Sequence, residues 1–238
     1  MATFLLVHGA WHGGWCWRDV APLLRQAGHA VYTPTLTGLG ERAHLATPQT
    51  DLATHIEDVV KVLEYEELAA VVLVGHSYGG LVVTGVADRL PDRLAHLVYL
   101  DAFVPGDGQA VLDLIAPREA AHLRARVQAE GEGWRLPPSP GASYGVTDAA
   151  DAAWVASKLV AQPFATFAQP VHLERPGLPV AGTYILCVPS GGLFGGFAAR
   201  LRQEPGWRSR EPHTGHDAMV TQPRALTDLL LEAVAGSP

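Results

Sequence analysis

The sequence predicts an α/β fold: a mostly parallel, doubly wound sheet of about six strands, with a helical lid insertion. Three observations predict it. Short apolar runs alternate with stretches of helical spacing through the first part of the chain. The runs lack polar alternates, as strands buried on both faces do. The rhythm fails after Leu100 and returns at Tyr184, so an insertion interrupts the core.

Each element has its own cause. Phe4 to Val7 is a continuous apolar run and reads as the first strand. No basic segment precedes it and no small-residue cleavage site follows, so it does not read as a secretory leader. Trp17 to Gln26 has helical spacing and Gly28 stops it; Ala30 to Tyr32 is the second strand. Pro34, Gly38, Gly40 and Pro48 then keep the chain irregular. Leu52 to Glu66 is a helix with apolar Ile56, Val59, Val60 and Leu63. Val71 to Val74 is a strand, Leu81 to Leu90 a helix ended by Pro91, and Leu94 to Leu100 a strand. From Phe103 to about Leu178 the chain is rich in Pro, Gly and Ala, with a helical piece at Val111 to Gln128 and a Pro-rich turn at Pro137, Pro138 and Pro140. That stretch is too long for an ordinary loop. The expected division is a core of residues 1–102 and 179–238 and a lid of residues 103–178. Tyr184 to Val188 and Trp207 to Arg210 are further strands; Phe194 to Arg202 and Ala225 to Val234 are further helices.

Composition narrows the function. Of 238 residues, 48% are hydrophobic and 17% charged, enough apolar content for a sizeable core. The net charge of −7 comes with no long basic run, which argues against nucleic acid or an anionic membrane surface as partner. No run approaches the roughly 18 apolar residues of a membrane span. Cys16 and Cys187 give neither a disulfide framework nor a zinc pattern, so a reduced cytoplasm is the expected compartment. Lysine occurs only at positions 61 and 158, every other basic residue being arginine, a bias that fits a GC-rich bacterial genome. The oligomeric state stays open, a homodimer included.

The chemistry centres on Gly75-His76-Ser77-Tyr78-Gly79, between an apolar strand and a helix. A nucleophile elbow has this form. The chain turns sharply, and glycines two positions either side of the serine avoid collisions with the neighbouring strand and helix. Ser77 is the candidate nucleophile, lifted above the sheet, with the Tyr78 amide at the helix start to stabilise an oxyanion. A serine hydroxyl needs a base. After Ser77 come His122, His172, His213 and His216, and His96 sits within a strand. His216 follows Gly215 in the loop after the last strand and is the candidate; His213 reads as structural. The base needs a carboxylate to orient it. The loop Pro189-Ser190-Gly191-Gly192 holds none, whereas Asp101 ends an apolar strand, where a charge is costly without a partner. Asp101 is the candidate acid. An Asp that merely caps the loop is the plainer alternative, and Asp107, Glu204 and Glu211 rank behind. The loop after the first strand, His8 to Trp15, offers the Ala10 amide as second oxyanion donor, with His8 and His12 orienting it. Trp11, Phe103, Trp134, Trp154 and Phe164, with Leu112, Leu114, Leu159 and Phe167, suggest an apolar pocket.

In order and spacing, FLLVHGAWHGGWCW, AGHAVYTPTLTGLG, LVGHSYGG, LVYLDAFVP and TGHDAM resemble the α/β-hydrolase superfamily. More narrowly they resemble its branch of plant methylesterases, hydroxynitrile lyases and bacterial carboxylesterases, pyrethroid-hydrolysing ones included. The resemblance covers nearly the whole chain and is weakest between residues 105 and 180. It implies Ser77 as nucleophile, His216 as base, the Ala10 and Tyr78 amides as oxyanion hole, and no metal or organic cofactor. It implies cleavage of a small to medium apolar carboxylic ester through an acyl-enzyme. Two departures stand out. Most of the branch carries its acid near Ser190, and none is there; some other α/β-hydrolases carry it where Asp101 stands. Some hydroxynitrile lyases have a lysine directly after the catalytic histidine and a threonine after the histidine ending the first strand; here those positions are Asp217 and Gly9. A lyase or cyclase-type enzyme on the same fold, or a ligand-binding protein without catalysis, are the competing expectations.

Overall fold

The computed structural model describes residues 1–139, 144–189 and 192–235. Strand β1 (Thr3–Val7), helix α1 (Val20–Gln26), β2 (Ala30–Tyr32), α2 (Leu52–Tyr65), β3 (Val71–His76), α3 (Gly79–Arg89) and β4 (Leu94–Leu100) alternate as predicted. Then come α4 (Val111–Leu114), α5 (Pro117–Glu130), β5 (Arg135–Leu136), α6 (Ala149–Lys158), β6 (Gln162–Pro163) and α7 (Ala165–Ala168). The last part holds β7 (Gly182–Ile185), β8 (Val188–Pro189), α8 (Gly195–Leu201), β9 (Arg208–Arg210), β10 (His213–Thr214), α9 (Ala218–Thr221) and α10 (Pro223–Ala235). Among the described residues, one six-stranded sheet runs in the order β2-β1-β3-β4-β7-β9, and all its pairings are parallel.

The apolar runs are continuous because both faces of the sheet are covered. Side chains alternate across a strand. Leu5, Val7, Leu73, Leu97, Tyr99 and Tyr184 therefore join one core with Ile56, Val59 and Leu63 of α2 and Val83 and Val86 of α3. Phe4, Leu6, Val72, Val74, Val98, Leu100 and Ile185 join the other with Val20 and Leu24 of α1 and Leu226 and Leu230 of α10. Each fully buried side chain of this size contributes about 1.5–3 kcal/mol. Helix α2 starts where Asp51 caps it, accepting the Thr54 amide at 2.9 Å. Such a cap stabilises by about 1 kcal/mol.

Local chemistry accounts for the differences from expectation. The helix predicted over Val111 to Gln128 is two helices, because Pro117 keeps Ala116 extended (ψ 141°) and opens α5 afresh. The strand predicted over Tyr184 to Val188 divides: β7 stays in the main sheet, while β8 pairs with β10. The helix predicted from Trp17 begins at Val20, after a tight turn at Gly14–Trp17. Among the described residues, no helix is long and apolar enough to cross a membrane. Cys16 and Cys187 are both buried. Because the sheet is parallel, the loop after β1, Ser77 after β3 and Asp101 after β4 emerge at one edge, where ligands bind in such sheets.

Candidate active site

Ser77 stands at the junction of β3 and α3 with φ 55°, a left-handed conformation that costs about 1–3 kcal/mol. The turn is held from three sides. The Ser77 amide donates to Leu100 O (3.2 Å), and the Ser77 carbonyl accepts from Gly80 N (3.0 Å) and Phe103 N (3.2 Å). The flanking glycines are needed sterically. A Cβ on Gly75 would stand 2.6 Å from Val83 Cγ2, and one on Gly79 would stand 2.8 Å from His8 O.

Asp101 follows β4 directly, also left-handed at φ 42°. Its amide donates to Ile185 O (2.7 Å), which ties it to the end of β7. The carboxylate is fully buried; Oδ1 accepts from Cys187 N (3.0 Å), and Oδ2 accepts from His216 Nδ1 (2.6 Å). The chain beyond β7 thus gives Asp101 an amide. Ser190, where the resemblance places an acid, lies outside the described residues. The His216 imidazole lies flat against Phe194 (5.2 Å, 3°) and tilted against His76 (4.5 Å). His76 Nε2 donates to His216 O (3.1 Å), and burial, with the nearby His216, holds His76 well below the usual histidine range. His76 is therefore a neutral brace behind His216.

The loop after β1 is pinned at successive peptides. His8 Nδ1 donates to Gly9 O (2.8 Å), while His8 Nε2 accepts from Leu36 N (3.1 Å). Burial pushes His8 down to about 3, so it is neutral. His12 Nδ1 donates to Ala10 O (2.7 Å), and His12 Nε2 donates to Asp217 Oδ2 (3.1 Å). The Trp11 amide, in a residue at φ 65°, donates to Gln162 Oε1 (3.0 Å), and the Trp11 indole N–H donates to Leu136 O (2.9 Å). Tyr78 opens α3, where the first amides of a helix lack an intrahelical partner. Its hydroxyl donates to His55 Nδ1 (2.9 Å), and His55 Nε2 donates to Thr37 O (2.8 Å).

Ser77, His216, Ala10, Tyr78, Trp11 and Phe103 line one cavity of about 260 Å³. Val111, Ile115, Leu123, Tyr144, Phe167, Leu193 and Phe194 complete its apolar wall, with Ser139 and Glu119 as polar groups. Trp134, Trp154 and Phe164, expected at the pocket, do not line it. Trp154 packs edge-on against Trp15 (5.1 Å) beneath the Arg18 guanidinium (3.4 Å), Trp134 carries Arg135 (4.2 Å), and Phe164 faces Arg124 (5.9 Å). Of the other carboxylates weighed, Asp107 accepts from Leu173 N and Glu211 pairs with Arg202. Among the described residues, no three His, Cys, Asp or Glu side chains are grouped to hold a metal ion.

A family model described as "Alpha/beta hydrolase family" matches residues 4–229. The chain belongs to this family. The hydrolase is 44% identical over 97% of its length to a carbendazim hydrolyzing esterase of Nocardioides sp. (strain SG-4G), covering 98% of that protein. Over 43% of its length it is 40% identical to an alpha-hydroxynitrile lyase of Arabidopsis thaliana, covering 40% of that protein. Its fold matches the solved structure of an extracellular alpha/beta-hydrolase from a Paenibacillus species, with a TM-score of 0.84, 24% identity and coverage of 98% and 99% of the two chains. The protein is thus an enzyme of the esterase class, related to plant methylesterases, hydroxynitrile lyases and bacterial esterases.

Around this candidate site, sequence reasoning missed Asp217, Gln162 and Phe194. Asp217 is noticed only as the residue where a lyase has lysine. A fully buried carboxylate beside a glycine–histidine turn implies a partner, but not which one. Gln162 carries no sequence signal at all. Phe194 opens a predicted helix, and the sequence does not show that its ring covers His216.

Proposed function

We propose that the protein is a serine esterase for small to medium apolar carboxylic esters, with Ser77 as nucleophile, His216 as general base and Asp101 as its orienting acid. The carrying observation is the 2.6 Å hydrogen bond from His216 Nδ1 to buried Asp101 Oδ2, with His216 and Ser77 on the wall of one cavity. A carboxylate on Nδ1 fixes the tautomer that leaves Nε2 to accept the serine proton. Ser77 Oγ then attacks the ester carbonyl, and the Ala10 and Tyr78 amides receive the oxyanion. Each donor contributes about 3 kcal/mol to the transition state. His216 returns the proton to the leaving alcohol. Water, deprotonated by His216, releases the acid and frees Ser77.

The cavity of about 260 Å³ lies just under the roughly 300–1,000 Å³ usual for small-molecule sites, which suits an ester of modest size. Residues 103–178 act as the lid, because Val111, Ile115, Leu123, Tyr144 and Phe167 of that stretch wall the cavity. Carbendazim, named for the 44% identical relative, is the first specific substrate to try. The lyase reading loses support at Asp217, a carboxylate paired with His12 where a lysine would be needed.

The test is hydrolysis of p-nitrophenyl acetate, p-nitrophenyl butyrate and carbendazim by wild type, Ser77→Ala and Asp101→Asn. Wild type should turn over at least one nitrophenyl ester, and both variants should lose about 10⁴-fold or more in kcat while staying folded. An Asp101→Asn enzyme of near-full activity would remove Asp101 from the mechanism. A wild type inert to the esters, and unlabelled at Ser77 by a serine-reactive phosphonate, would remove the esterase reading.

A further inference from the structure

The Ala10 amide belongs to the Gly9–Ala10 peptide, which is planar, so fixing its carbonyl fixes the direction of its N–H. His8 holds that carbonyl and His12 holds the next one. His8 is neutral, with one nitrogen donating and one accepting. His12 differs: both its partners, a carbonyl and a carboxylate, only accept. Both of its nitrogens must then carry protons, and His12 is an imidazolium. Its counter-charge, Asp217, is the residue next to His216 in the chain. The two side chains are 1% and 0% exposed. Trp15 stacks on the cation (5.2 Å, 21°), and the Asp217 amide donates to Tyr144 O (3.0 Å). Although burial opposes both charges, the attraction within the pair raises His12 and lowers Asp217 from their ordinary ranges.

We propose that the buried His12–Asp217 ion pair is a positioning device. It links the loop carrying the Ala10 amide to the loop carrying His216 and so sets the distance between oxyanion donor and base. The inference rests on the esterase reading of Ser77, His216 and Ala10. Neither His12 nor Asp217 lines the cavity, so the pair acts through its neighbours. Loss of the pair therefore acts on the transition state more than on substrate binding. An error of about 1 Å in such a geometry costs on the order of 10²-fold in rate.

The experiment measures kcat and KM for p-nitrophenyl butyrate, and the rate of Ser77 labelling by a phosphonate, in wild type, Asp217→Asn, Asp217→Ala and Ser77→Ala. An asparagine side chain is isosteric with the aspartate and can donate to a neutral His12, so the contact survives without its charge. The expected result is a fall in kcat of about tenfold for Asp217→Asn and about 100-fold for Asp217→Ala, with KM within about twofold and labelling slowed in the same order. If Asp217→Ala does not fold, the Asp217→Asn variant decides at its own threshold. Folded variants within about twofold of wild type in kcat, or a loss confined to KM, overturn the proposal. Failure of the phosphonate to label Ser77 in wild type has a different signature: it overturns the esterase reading and this proposal with it.

Discussion

Two imidazole–carboxylate pairs each take one member from the adjacent residues His216 and Asp217, and they have opposite surroundings. In the first, His216 Nδ1 meets Asp101 Oδ2 at 2.6 Å, and the imidazole reaches the cavity with 14% of its side chain exposed. In the second, His12 Nε2 meets Asp217 Oδ2 at 3.1 Å, and nothing of either side chain beyond 1% is exposed. The first imidazole has one nitrogen tied to protein and its other available to chemistry. The second has both nitrogens committed to acceptors. On the proposed mechanism, the same two functional groups make a proton acceptor in one place and a fixed cross-link in the other. What separates them is the partner of the second nitrogen and the access of substrate, rather than the pair itself.

Breaking the first pair should give the largest effect on turnover. On the proposed mechanism, Asp101→Asn permits the wrong tautomer of His216 and lowers kcat by about 10⁴-fold. Breaking the second pair should give the larger effect on the fold. Asp217→Leu takes the counter-charge from buried His12, which must then either give up its proton and leave Nε2 without a partner or stay an unpaired cation, and removing one partner of such a pair costs about 3–5 kcal/mol. Urea denaturation of the two variants checks the contrast. If Asp217→Leu unfolds at the wild-type midpoint, the sealed pair is not the cross-link described here. A smaller effect separates the glycines of the elbow from those of open loops. Gly79→Ala pushes a methyl against His8 O and should cost about 1–3 kcal/mol, whereas Gly192, with nothing within 4 Å of an added Cβ, should accept alanine without loss.

The contrast between the pairs also explains which parts were legible in the sequence. Ser77 is legible because the need for glycine at 75 and 79 is local: strand, turn and helix lie within a few residues. Asp101 is legible because a charge ending an apolar strand demands a reason, and His216 because chain order and Gly215 single it out. The alternation of the core needs no more than apolar runs and helical spacing. The His12–Asp217 pair is different, because its partners lie 205 residues apart and each reads alone as a polar loop residue. The pocket is misread for a related reason. Aromatic content marks Trp134, Trp154 and Phe164 as apolar, but not which side of the insertion each ring faces, and their rings meet Arg135, Arg18 and Arg124 away from the cavity. The broken helix at Pro117 was open to local reasoning, since the residue before a proline avoids helical backbone.

The pairs differ also in the pH dependence of stability, where the buried histidines pull in opposite directions. Burial pushes His8 down to about 3 and His55 to about 4. In the unfolded chain both bind a proton near pH 6.5, the ordinary value (about 6.5). Below that pH the unfolded state holds more protons, so stability falls with acid, by about 1.4 kcal/mol per pH unit for each histidine so affected. His12 runs the other way. Burial opposes its charge, yet Asp217 raises it, so its contribution is complete below about pH 6.5 and is lost as pH rises through its folded value. Asp217, held low by His12 against the effect of burial, contributes above about pH 4 and loses that contribution only in stronger acid. Wild type should therefore be most stable near about pH 6.5, falling on the acid side through His8 and His55 and on the alkaline side as pH rises through the raised value of His12. Asp217→Asn leaves His12 neutral in the fold, so that alkaline decline should vanish while the acid decline stays. Urea midpoints at pH 5, 6.5 and 8 for both proteins measure it, and an equal alkaline decline in the two would mean that His12 does not carry the charge its two acceptors require.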